Sequence, residues 1–79
     1  MGSMEKLISR LVNNPKDARF EDLERILRNF GWELEHARGS HHKFKKGSES
    51  IIIPKHKPLK EVYTLAVLEK IGAKNEKRP

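Results

Sequence analysis

The sequence predicts an α+β domain, a three-stranded antiparallel sheet with helices packed on one face, in the order α-α-β-β-β-α. Three observations carry this reading. Apolar residues recur at helical spacing near both ends of the chain; over residues 32–53 the period drops to two; and Gly-Ser pairs at 39–40 and 47–48 divide that middle region. Such short connections join antiparallel neighbours, since a parallel pair needs a long crossover.

The elements follow in order. Leu7, Ile8, Leu11 and Val12 place a short amphipathic helix over residues 5–12, which Asn13-Asn14-Pro15 ends. Residues 16–19 form a connector. A second helix runs over 21–30, with Phe20, Leu23, Ile26, Leu27 and Phe30 as its apolar stripe. Glu21, Asp22 and Glu24 lie toward its positive end, Arg25 and Arg28 toward its negative end, and Gly31 is its left-handed stop. Trp32, Leu34, His36 and Arg38 then alternate with Glu33, Glu35 and Ala37, a strand with one buried face, and His36 is expected near that buried side. A second strand spans 41–46, with His42, Phe44 and Lys46 on one face and His41, Lys43 and Lys45 on the other. The third spans 50–53 and stops at Pro54. Residues 54–58 form a stiff basic loop. A last helix covers 60–71, with Val62, Leu65, Ala66, Leu68 and Ile71 as core positions and Gly72 as its stop.

Seventy-nine residues make one domain, 1–79, with a modest core. The opening Met1-Gly2-Ser3 reads as a cloning remnant, and residues 73–79 read as a frayed polar tail. The chain has no cysteine, hence no disulfide framework and no thiolate metal site. No apolar run is long enough to span a membrane and no signal peptide is visible, so a cytoplasmic location is expected.

The net charge of +6 is concentrated. Residues 36–60 carry seven Lys and Arg against Glu49 alone, while the remainder carries ten basic and ten acidic residues. All four histidines fall in the same window. A local basic excess suits a polyanion, and Arg38, Lys43, Lys45, Lys46, Lys55, Lys57 and Lys60 are the candidate phosphate contacts. Phe20, Phe30, Trp32 and Phe44 look core-facing, leaving Tyr63 as the free aromatic; stacking of single-stranded bases is therefore not the expected mode.

His42 precedes Phe44 by two residues and so belongs at the rim of the packed face, beside lysines. That position fits a catalytic imidazole, and it equally fits a histidine that only bonds a backbone carbonyl. His41 points the other way, toward phosphate or simply toward water. If the loop after the third strand curls back past Ser40, His56 approaches His42, and two imidazoles suit general base and general acid in attack by a ribose 2′-hydroxyl. No pair of histidines has the helical His-x-x-x-His spacing, and Glu49 is the lone carboxylate of the window; neither a metal nor a cofactor is expected.

Phe20-Glu21-Asp22-Leu23, Gly31-Trp32, Gly39-Ser40-His41-His42-Lys43-Phe44, Ile53-Pro54-Lys55-His56 and the final helix before Gly72 together resemble the HicA toxin family. The resemblance implies a double-stranded-RNA-binding-domain-like fold and a metal-independent mRNA interferase that shuts down translation. It implies a HicB-type antitoxin as partner, with the toxin a monomer alone or a heteromer with that antitoxin. It makes His42, in the Gly-Ser-x-His position, the catalytic residue, with His41 and His56 as possible supports. The first helix is an addition to the shortest members of that family. A non-catalytic RNA-binding module of the same fold, or a basic face that docks an acidic partner, accounts for the lysines equally well; only His42 separates these readings.

Overall fold

The computed structural model of the chain describes residues 2–73. Helix α1 spans Gly2–Asn13, a single 3₁₀ turn follows at Pro15–Asp17, and helix α2 spans Phe20–Asn29. Strands β1 (Glu33–Arg38), β2 (His41–Lys46) and β3 (Glu49–Pro54) lead to helix α3 (Glu61–Lys70). The element order is the expected α-α-β-β-β-α, and the sheet is an antiparallel meander, β1-β2-β3. Helix α1 takes in Gly2 and Ser3. At the other end Ala73 donates its N–H to Leu68 and rests against the core; the rest of the expected tail lies outside the described residues.

The sheet has one covered and one open face. Phe44 and Ile53, on the covered face, are fully buried, whereas Ile52, one residue earlier on the opposite face, is 50% exposed. Leu7 and Leu11 of α1, Leu23, Ile26 and Leu27 of α2, and Val67 and Leu68 of α3 complete the core with Trp32 and Leu59. The first helix thus contributes directly to the packing; full burial of a leucine such as Leu11 is worth roughly 1.5–3 kcal/mol. Asp22 draws α1 and α2 together: it accepts the N–H of Arg19 at the start of α2 and lies 3.4 Å from the Arg10 guanidinium.

Two expectations need correction. The first is β1, none of whose residues is buried. Leu34 pairs with Phe44 but His36 already pairs with Lys43, so two residues of β1 advance the ladder by one step on β2. This β-bulge shifts the alternation. Leu34 and Ala37 share the side of Phe44 and His42, whereas His36 and Arg38 join Lys43 and His41 on the open face. Trp32, before the strand begins, takes the buried place (4% exposed). The second correction is the face of α3. Val62 and Leu65 are 59% and 47% exposed, and the buried positions are Thr64, Val67 and Leu68. Apolar residues surround most of this helix, so spacing alone does not choose its inner side. Leu59, in the loop before the helix, is buried alongside Thr64, Val67 and Leu68.

Gly31 (φ +92°) and Gly39 (φ +60°) adopt the left-handed conformations expected of stops and turns. Gly39-Ser40 is a two-residue hairpin connection in which Ser40 keeps negative φ, the Gly-X pattern of a type II′ turn. That tight turn brings Arg38 opposite His41 and starts β2 with its alternation set, which places His42 on the covered face.

Candidate functional site

The site is built around the Gly39-Ser40 turn. The Ser40 carbonyl accepts two hydrogen bonds, one from the backbone N–H of Lys55 at 2.7 Å and one from the Nδ1–H of His42 at 3.1 Å. A carbonyl only accepts, so the shared proton sits on Nδ1. In the neutral ring Nε2 then carries the free lone pair. The Ser40 hydroxyl lies 3.1 Å from Nε2 of His56. One residue therefore holds two histidines, His42 through its backbone and His56 through its side chain, and the loop after β3 does curl back past the turn.

Phe20, the first residue of α2, supports the imidazole. Its ring centroid lies 4.8 Å from that of His42 with the planes tilted by 58°, an arrangement that pairs aromatic edge with aromatic face. The Lys55 ammonium stands 5.5 Å from the Phe20 ring centroid, within reach of its negative π-face. Phe20 also touches Phe44, centroids 6.4 Å apart, which anchors it to the core. His42 is half-buried, while His56, Lys55 and Lys57 are exposed. The result is a partly desolvated imidazole at the edge of a cationic, water-accessible surface.

A groove of about 490 Å³ opens beside this cluster, between residues 16–21 and residues 55–59. A smaller hollow of about 170 Å³ lies on the other side of His56, where His41, Lys60 and Tyr63 face it. His41 thus comes near His56 although its own strand position points it toward the open face.

The candidate phosphate contacts divide into groups. Lys55 and Lys57 border the groove, and Lys60 borders the smaller hollow. Arg38, Lys43 and Lys45 lie on the open face of the sheet, opposite the His42 side. There Arg38, Lys43, His36, His41 and Ile52 line a shallow depression, and Lys43 is 3.6 Å from Glu35. Lys46 is at the far end of β2 and donates to the Phe30 carbonyl at 2.7 Å. A basic run that is contiguous in sequence is therefore spread over both faces of the sheet and both ends of one strand.

Sequence reasoning misses four participants. Alternation and spacing give Phe20 as core only, and Ser40 as a turn residue only. Lys16 and Arg19, in the connector before α2, carry no signal that places them opposite residues 55–59. They are held there by Arg10, whose guanidinium bonds the Asp17 carboxylate at 2.6 Å and the Asp17 carbonyl at 3.2 Å. The bond to Asp17 raises the Arg10 pKa above its ordinary value, and Asp22 adds to the effect. Among the described residues no group of three or more His, Asp or Glu side chains is placed to hold a metal ion, and no helix is long and apolar enough to cross a membrane.

The model of a family described as HicA toxin of bacterial toxin-antitoxin matches residues 20–73 of the chain. The matched stretch holds α2, the sheet, the basic loop and α3, and leaves α1 and the 3₁₀ turn outside. No curated protein and no solved structure matches the chain.

Proposed function

Since this chain belongs to the HicA toxin family of bacterial toxin–antitoxin systems, we propose that it is a metal-independent endoribonuclease that cleaves mRNA in the cytoplasm and is held in check by a HicB-type antitoxin. His42 is the general base. Its Nε2 takes the proton of a ribose 2′-hydroxyl, and the 2′-oxygen attacks the adjacent phosphorus. The P–O5′ bond breaks, His56 supplies the proton to the departing 5′-oxygen, and the products are a 2′,3′-cyclic phosphate and a 5′-hydroxyl. Lys55 and Lys57 hold the non-bridging oxygens as their charge grows.

The observation that supports this reading most directly is the Ser40 bridge. It fixes the His42 tautomer that a base requires and brings a second imidazole to the same turn. The basic open face of the sheet favours a second reading, a non-catalytic RNA-binding module, because Arg38, Lys43 and Lys45 stand apart from the histidine pair.

Cleavage of RNA by the purified protein in excess EDTA, beside His42→Ala, tests the proposal. Cleavage by the wild type alone, with cyclic phosphate ends, supports it, and loss of the histidine is expected to lower the rate by about 10²–10⁴-fold. Products with 5′-phosphates that vanish with the chelator sink the mechanism. No cleavage by either protein, with salt-dependent RNA binding by both, selects the binding module.

A further inference from the structure

The groove between residues 16–21 and 55–59 shares Lys55, His56 and Lys57 with the chemistry just described, but its other wall, residues 16–19, has no part in it. We infer that it is a nucleotide subsite, in which the N-terminal segment of this chain grips the RNA strand beside the cleaved phosphate. The inference rests on the nuclease reading for its orientation, though not for its existence.

Its walls carry cations for the phosphates of a single strand over an apolar floor, of which Pro58 is the exposed part and Phe20 and Leu59 are buried. Lys16 and Arg19 stand on one side and Lys55 and Lys57 on the other, with Phe20, Pro58 and Leu59 between them. Of the two carboxylates at the groove, Asp17 is already bonded to Arg10 at 2.6 Å and Glu21 stands against Lys16, Arg19, Lys55 and Lys57, so the surface left for a ligand is net cationic. The volume of about 490 Å³ falls in the small-ligand range, roughly 300–1,000 Å³, and suits a nucleotide better than a folded segment. The groove also continues into the site, because Phe20 at its floor is the ring that supports His42.

Four of the eleven residues that line the groove, residues 16–19, come from outside the matched family stretch. Lys16 and Arg19 precede residue 20, and α1 holds their segment through Arg10. The extra N-terminal helix then has a purpose beyond packing: it lengthens the contact with substrate on one side of the scissile bond.

The test uses the full chain, labelled with ¹⁵N, and a 2′-O-methyl hexauridylate. This RNA has no attacking hydroxyl, so binding is read without cleavage. Amide signals of residues 16–20 and 55–59 are expected to move together. Lys16→Glu is expected to weaken binding of the hexamer by about tenfold at low salt, and Lys6→Glu, exposed on α1 and outside the groove lining, by less than about twofold. Absence of binding, unchanged affinity in Lys16→Glu, or shifts confined to the open face around His36 and Lys43 overturns the inference. Groove shifts caused by an acidic peptide but not by the hexamer also overturn it and assign the groove to a protein partner. If the groove shifts appear while the wild type fails to cut unmodified RNA, the subsite stands and the nuclease reading falls.

Discussion

The hydroxyl of Ser40 lies 3.1 Å from Nε2 of His56, sixteen residues further along the chain. The same residue's carbonyl accepts the Nδ1–H of His42. A change at Ser40 that removes only the hydroxyl therefore touches one histidine and spares the other.

Ser40→Ala is expected to lower RNA cleavage by about tenfold, less than the roughly 10²–10⁴-fold of a positioned proton donor, because the hydroxyl acts only through His56. His56→Ala should lose at least as much, and the double variant no more than His56→Ala alone, because the hydroxyl acts through that ring. A double-mutant cycle on cleavage rate, with RNA affinity measured in parallel, checks the coupling. Additive losses would mean that Ser40 and His56 act independently.

Lys55 is held to the turn by its backbone and placed over Phe20 by its side chain. As a phosphate contact it should govern the salt dependence of binding. Lys55→Ala is expected to reduce the slope of log affinity against log salt by about one. Fluorescence anisotropy with a non-cleavable RNA across a salt series measures this; an unchanged slope removes Lys55 from the contact set.

The inner face of α3 is open to a stability test. Leu68→Ala should cost about 2–5 kcal/mol by transfer and cavity terms, because Leu68 is 2% exposed. Leu65→Ala, at 47% exposure, should change stability by less than about 1 kcal/mol. Urea denaturation of the two variants compares them directly, and equal losses would reverse the assigned face.

Thr64 is fully buried, and its hydroxyl has no hydrogen-bond partner among the described residues. Thr64→Val keeps the shape and removes the unpaired group. It is expected to raise stability by about 1–3 kcal/mol, seen as a higher urea midpoint with an unchanged slope.

Much of the fold was legible because local rules and tertiary packing agree. The stripe of Leu23, Ile26 and Leu27 reads as helix from spacing and is buried as a helix face. The pairing of His42 with Phe44 on the covered side followed from the period of two and held, since β2 is the central strand and has no bulge against β3. In β1 the same rule failed at Glu35. A bulge is a property of the pairing between two strands, and nothing in the alternation of one strand announces it. In α3 the pattern was ambiguous because Val62 and Leu65 are as apolar as Val67 and Leu68.

By itself the sequence determined the element order, the turns at Gly31 and Gly39, the basic window, and the position of His42 at the rim of the packed face. These depend on backbone sterics and on alternation within a few residues. Only the tertiary structure decided which groups meet there. Phe20 reaches His42 because α2 packs over β2, and His56 reaches Ser40 because the loop after β3 folds back over the turn. Lys16 and Lys57, far apart in the chain, line one groove, and Arg10 ties the first helix to Asp17 and Asp22 beside it. Those contacts join residues far apart in the chain, and the closing of such loops is driven by burial of the whole core, which no short stretch of sequence encodes.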